Sequence, residues 1–398
     1  MIVFKIIVIV ILSYLTFNIG YLIVFALAGI FRKYPSYERT HSQRRFAIFI
    51  PTYKEDSIVI DAVKKNLKQH YPKHLFDIIL IADHLQEFTI TKLASFPIII
   101  LIAVFKKSTK AKSIKFALQQ LPDNYYDVAL ILDADNIMED NALNKINWAF
   151  EMGFVMVQAH RTAKNLNTST AILDAISEEI NNHIFRTGHR ALGLSSALIG
   201  SGMAFDYSIF KDIIVNSDIE NNPGEDREIN LRMLQLGHSC EYLDDCYVYD
   251  EKVQTNTIME QQRTRWISAQ FQYAVKFWWK DPLQTIFSGV SYFDLAVQTL
   301  LLPRAILLVL TLILTTVALG FELASNRQHF TVTMYCLGLF LCCLLSFALG
   351  LYGKLPLNKV LSSIAGIPTS LYHLFRAFLK SKSNQKEFIH TPKDYIAK

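Results

Sequence analysis

Apolar positions along the chain fall into two patterns, long unbroken runs at its ends and short punctuated runs between them. Residues 2–31 carry one charge, Lys5; residues 300–321 have Pro303 and Arg304 at their entry; residues 330–352 follow after a short loop. Each run reaches the roughly 20 residues that a helix needs to cross a hydrocarbon core. Ala26-Leu27-Ala28 mimics a processing site, but the apolar run before it exceeds the about 7–15 residues of a signal peptide, so an uncleaved anchor is expected. Arg32, Lys33, Arg39, Arg44 and Arg45 follow it, which predicts an outer N-terminus and an inner domain. The loop 322–329 holds only Arg327 as a Lys or Arg, as an outer loop would. Residues 360–379 are less uniform, with Pro368, His373 and Arg376 inside, Lys354 and Lys359 before, and Lys380 and Lys382 after. Basic residues at both ends favour a helix that is interfacial or re-entrant over one that crosses. Residues 284–297 also read as interfacial.

Between these runs, residues 46–53, 76–82, 97–104, 128–132 and 153–159 are apolar segments of strand length. Helical patterns separate them: 57–70 with Ser57 as its cap, and a basic stretch at 108–121 carrying Lys110, Lys112 and Lys115. Strands alternating with helices predict an α/β fold with a mostly parallel sheet flanked by helices. The expected organisation is an anchor at 1–31, a cytoplasmic domain at 45–280, a membrane domain at 281–382 and a cytoplasmic tail at 383–398.

Composition sharpens this picture. With 51% hydrophobic residues and a mean hydropathy of +0.23, the 398-residue chain is too apolar for an ordinary soluble enzyme. Three of the five cysteines (Cys336, Cys342, Cys343) lie in a proposed span, and Cys240 and Cys246 lack ligand-like spacing, so neither disulfide framework nor zinc site is expected. The net charge of +5 comes from membrane-proximal Lys and Arg, and no basic stripe suggests nucleic acid. There is no GxGxxG and no P-loop.

Three stretches carry candidate chemistry. The run 128–132 ends at Asp133-Ala134-Asp135-Asn136. Carboxylates ending a buried strand are costly unless their charge is met. Mg²⁺ and Mn²⁺ take oxygen ligands, often one or two carboxylates plus substrate phosphates, so a metal–diphosphate site is one reading and an Asp/Asn turn the other. Gly224-Glu225-Asp226 opens a helical pattern that stops at Gly237; there the acids serve either chemistry or the helix dipole. Gln262, Arg265 and Trp266 lie on a helix running towards Trp278 and Trp279. Arg265 suits phosphate and Trp266 a sugar ring, or the whole is an amphipathic interfacial helix.

In order and spacing, these segments resemble the membrane-bound family 2 glycosyltransferases, the group that includes cellulose and hyaluronan synthases. Ile50-Pro51-Thr52-Tyr53-Lys54-Glu55 is similar to the opening nucleotide loop. Asp83 stands where the family places an acid at the base or ribose, although His84 replaces the usual Asp, Gly or Asn. The segment 110–118 resembles the lysine-alanine-leucine helix, with Ser108-Thr109 in place of its glycine. Asp133-Ala134-Asp135 resembles the DxD motif, Gly200-Ser201-Gly202 the acceptor segment, Gly224-Glu225-Asp226 the ED motif, and Gln262-x-x-Arg265-Trp266 the QxxRW motif.

The resemblance implies a GT-A-type fold and inverting transfer from a nucleotide-diphosphate sugar, with a UDP-sugar favoured. It implies Asp226 as catalytic base and Asp133 and Asp135 as ligands of Mg²⁺ or Mn²⁺. Donor contacts would be Thr52, Glu55, Asp83, Lys112, Asp133, Gln262, Arg265 and Trp266; acceptor contacts would be Gly200, Ser201, Gly202, Glu225 and Trp266. The acceptor is a polysaccharide or a lipid-linked glycan at the inner membrane's cytoplasmic face. A translocating channel would call for a partner subunit or an oligomer. A polyprenyl-phosphate sugar synthase, or a nucleotide-sugar-binding scaffold without turnover, are the alternatives.

Overall fold

The computed structural model describes residues 2–33, 42–221, 224–324 and 330–381. The tail expected at 383–398 lies outside them, as do Arg39, Pro223, Arg327 and Lys382. The chain order is α1 (Ile2–Ile30), β1 (Phe46–Tyr53), α2 (Val59–Asn66), β2 (Phe76–Asp83), α3 (Glu87–Leu93), β3 (Ile99–Ala103), α4 (Lys110–Gln120), β4 (Val128–Ile131) and β5 (Ile137–Met138). Then come α5 (Ala142–Glu151), β6 (Met156–Ala163), α6 (Ser169–Asn182), α7 (His189–Ala191), β7 (Met203–Asp206), α8 (Tyr207–Val215), α9 (Glu225–Gln235) and β8 (Glu241–Asp250). The remainder is helical: α10 (Asn256–Val275), α11 (Pro282–Phe287), α12 (Val290–Gln298), α13 (Arg304–Ala324), α14 (Phe330–Leu351), α15 (Leu357–Ser363) and α16 (Ile367–Lys380).

One eight-stranded sheet runs β3-β2-β1-β4-β7-β6-β8-β5. Four of its seven neighbour pairs are parallel and three antiparallel, so the mostly parallel sheet is mixed, with β7 reversed against both β4 and β6. Alternate residues of β1, β2 and β4 explain the unbroken apolar runs. Ile48, Leu80 and Leu130 pack under α2 and α5, while Phe49, Ile81 and Ile131 pack under α4 and α8, so both faces are covered. The Ser57 cap is not used: α2 starts at Val59, and Ile58 before it makes no side-chain cap. Thr109 does cap α4, its hydroxyl accepting from the Lys112 N–H at 3.2 Å.

Among the described residues, three helices are long and apolar enough to cross a membrane: Lys5–Ile30, Arg304–Ala324 and Phe330–Leu351. They share a core with helix α6, which packs on β6, and with the π-helical turn 183–188. Leu15, Ile19, Leu22, Leu307 and Cys343 meet Ile180 and Ile184 there. Gly188 is required at this crossing, since a Cβ would lie 2.1 Å from the Phe25 carbonyl oxygen. Arg32, just past α1, pins that helix to the sheet by pairing with Glu241 at 2.7 Å and Asp244 at 2.5 Å. Residues 357–380 break at 364–366 into α15 and α16, which fold back on α6 and α10.

Candidate active site

The sequence-marked acids collect along the carboxyl edge of β1, β2 and β4, where open α/β sheets bind ligands. Parallel register sets Tyr53 beside Asp83. Thr52 is buried and its hydroxyl donates to the Ile50 carbonyl at 3.2 Å. Glu55 is also buried, at the start of the turn into α2. Asp83 is 1% exposed; one oxygen meets His84 Nδ1 at 2.5 Å, and the other, Oδ2, has no hydrogen-bond partner among the described residues. A buried carboxylate oxygen without a donor costs free energy that a ligand hydroxyl can return. His84 has φ +58°, which explains why Asp, Gly or Asn suits that position: these residues tolerate the left-handed region best.

After β4 the chain makes a β-turn that the Asn136 side chain closes. The Asp133 N–H donates to Asn136 Oδ1 at 3.1 Å, and the Asn136 N–H to the Asp133 carbonyl at 3.0 Å. The segment is thus a hydrogen-bonded turn that also presents two carboxylates. It also sets the two acids in different surroundings. Asp133 is partly open and pairs with Lys110. Asp135 is buried, with Oδ2 accepting the Glu251 N–H at 2.7 Å. Two carboxylates with only oxygen donors form the candidate metal centre; among the described residues no cluster of three His, Cys, Asp or Glu could hold a metal ion.

Lys112, expected at the donor, does not face the carboxylate edge. Two residues along a helix turn a side chain about 200°. Lys110, not Lys112, reaches Asp133, and its ammonium also donates to the Gly200 carbonyl at 2.5 Å. Lys112 Nζ instead donates to the Lys107 carbonyl at 3.2 Å, over a separate groove. Nothing in the sequence distinguishes the two lysines except the facing of α4.

The acceptor segment divides as well. Gly200, at φ +85°, is approached by Asp226: a Cβ there would be 3.5 Å from Asp226 Oδ2. Gly202, at φ +64°, is closed in by Val248 and Ala159. Ser201 faces inward, fully buried, with its hydroxyl accepting from Arg161 at 3.3 Å. This corrects Ser201 as an acceptor contact, because strand β7 begins two residues later and sets the side chain into the protein.

Glu225 and Asp226 open α9, and Asp226 Oδ1 accepts the Arg227 N–H at 2.7 Å. Burial, and next the charge of Asp226, push the Glu225 carboxyl above its ordinary range, against the pull of Lys110 and Arg265. Arg265 thus belongs to the same electrostatic neighbourhood as the two acids and Lys110. Gln262 turns a buried Oε1 inward without a partner among the described residues. Trp266 is 38% exposed and its ring carries Arg263 at 4.3 Å, which is itself held by Asp174 at 2.5 Å.

A buried polar network supports the carboxylate turn. Asn136 donates to Asp250 at 3.1 Å, Lys252 pairs with Asp250 at 2.9 Å and with Glu178, and Arg161 pairs with Glu178 at 2.6 Å. Lys164 Nζ reaches the Asp135 carbonyl at 3.3 Å, and burial lowers its pKa. Arg161, Glu178, Asp250 and Lys252 did not stand out in the sequence, because they meet only where β6, α6 and β8 come together in the fold.

The model of the family described as "Glycosyltransferase like family 2" matches residues 43–269. "Probable glycosyltransferase YdaM" of Bacillus subtilis is 23% identical over 273 residues, which is 64% of this chain and 64% of that protein. The match therefore spans less than two-thirds of that relative's length. Among solved structures, the mannosyltransferase PcManGT from Pyrobaculum calidifontis, in complex with GDP-Man and Mn²⁺, aligns with a TM-score of 0.54 at 12% identity, covering 92% of this chain and 96% of that one.

Proposed function

The chain belongs to the glycosyltransferase-like family 2, and from that premise we propose that it is an inverting, metal-dependent enzyme. It moves a sugar from a nucleotide-diphosphate donor to a glycan or lipid-linked acceptor at the cytoplasmic face of the inner membrane. The observation that carries this reading is the meeting of Lys110, Asp133, Gly200 and Asp226 at one edge of the sheet.

The residues divide the work. Asp226 Oδ2 takes the proton of the acceptor hydroxyl as its oxygen attacks the anomeric carbon. The bond from that carbon to the diphosphate breaks on the opposite face, and its electron pair leaves with the diphosphate. Lys110 and Arg265 place positive charge where this negative charge develops. Asp83 Oδ2 offers its unused acceptor to a ribose hydroxyl. Trp266 presents its ring to the acceptor sugar. Asp133 and Asp135 suit Mg²⁺ or Mn²⁺, because two hard oxygen donors leave the other positions for water and phosphate oxygens. When bound there, such an ion would act as a Lewis acid on the leaving diphosphate. The basic residues after α1 support a cytoplasmic catalytic domain. The three long apolar helices among the described residues favour a lipid-linked acceptor, or an oligomer, over a channel built by one copy.

The test uses purified membranes and labelled UDP- and GDP-sugars. Both are needed, since the sequence favours UDP while the similar mannosyltransferase is in complex with GDP-Man. Lipid extraction sorts glycan from sugar-lipid products, and chelation followed by Mn²⁺ should abolish and restore transfer. Asp226→Asn should lower transfer by about 10²–10⁴-fold with donor binding retained. Wild-type turnover in that variant removes Asp226 from the base role, and no turnover with any donor supports a binding scaffold.

A further inference from the structure

The helix that carries Gln262, Arg265 and Trp266 is held from outside the active site at one acid. Glu260, on α10, is only 6% exposed. One of its oxygens meets His373 Nδ1 at 2.6 Å; the other meets Lys380 Nζ at 2.6 Å and Arg376 Nε at 3.6 Å. All three partners lie on α16, within two turns of one another. The contact extends in both directions, with Ser370 against Asn256 at 3.0 Å and the rings of Phe378 and Phe271 at 6.0 Å. Helix α16 therefore brings His373, Arg376 and Lys380 over Glu260, with His373 covered and Lys380 still open to its surroundings. The neighbouring face leaves Tyr372, Phe375 and Leu379 more than half exposed, the reverse of a helix on a water-soluble domain. Helix α16 also touches the apolar helix α13. A buried carboxylate shared by basic side chains is specific in geometry, because leaving it unmatched is strongly unfavourable.

We propose that Glu260 is a positioning residue: through α16 it sets the register of α10, and so the placement of Arg265 and Trp266 over the donor. Two and five residues separate Glu260 from Gln262 and Arg265, so a tilt of α10 at this point moves the phosphate-facing guanidinium directly. This rests on the proposed role of Arg265 at the donor diphosphate.

The test is steady-state kinetics of the full chain in detergent or membranes, with thermal unfolding measured on each variant. Glu260→Gln should raise the donor KM about tenfold with kcat changed far less. Lys380→Met, at a largely exposed side chain, should raise it in the same direction, and the double variant should be no worse than Glu260→Gln alone. Arg265→Ala runs in parallel. If Arg265→Ala raises the donor KM but Glu260→Gln and Lys380→Met do not, this inference is overturned and the functional reading stands. If Arg265→Ala leaves the donor KM unchanged, the donor role of Arg265 fails and the inference fails with it. A fall in unfolding temperature with an unchanged KM assigns Glu260 to stability alone, which also overturns it; should Glu260→Gln not fold, Lys380→Met decides.

Discussion

Replacing Lys110 by methionine keeps the apolar stem and removes one ammonium from the carboxylate edge. The magnitude follows from where that ammonium sits. Its side chain is 15% exposed and its partner Asp133 is 33% exposed, so the local medium lies between water and the interior. Two unit charges about 4 Å apart interact by about 4 kcal/mol at an effective dielectric of about 20. Removal of a single preorganised donor from a developing anion costs about 10²–10³-fold in rate. Lys110→Met is therefore expected to lower kcat/KM for the nucleotide sugar by about 10²–10³-fold. Lys112→Met, whose ammonium lies on the other side of α4 against a backbone carbonyl, should stay within about threefold, as solvent-screened surface charges do. The assay is the initial rate of labelled sugar transfer across a donor titration, at fixed metal and ionic strength. A loss in Lys112→Met equal to or larger than that in Lys110→Met would refute the assignment.

Two further outcomes concern stability. Arg32→Ala removes a cation shared by Glu241 and Asp244, all of them nearly buried. Breaking such a pair costs about 3–5 kcal/mol, and the lower end is expected because Arg190 still reaches Glu241 at 2.7 Å. Chemical denaturation followed by fluorescence measures it, and a loss under about 1 kcal/mol, the range of an exposed pair, would contradict the anchoring role. The Glu225 carboxyl, pushed up to about 7 mainly by burial and then by Asp226, binds a proton more tightly folded than unfolded. Stability should then fall as pH rises from the ordinary carboxylate range towards about 7. Glu225→Gln should flatten that slope in thermal unfolding across the same window, and an unchanged slope would detach it from Glu225.

Elements whose environment is uniform along the chain could be read from residue order. Helices α1, α13 and α14 are apolar nearly throughout, and strands β1, β2 and β4 are buried on both faces, so neither group needs knowledge of a partner. The order of the acids could be read too, because Asp83 and Asp133-Ala134-Asp135 each end such a strand, and Glu225-Asp226 open a helix that Gly237 closes. Facing was decided only by the tertiary structure. Helix α4 aims Lys110 rather than Lys112 at Asp133; β7, reversed between β4 and β6, turns Ser201 inward; and β8 delivers Asp250 and Lys252 beneath the carboxylate turn. Helix α16 was ambiguous because its charges answer an acid more than a hundred residues away, while its apolar face looks outward. A side chain's direction depends on what packs against its element, and a single stretch of sequence does not contain that neighbour.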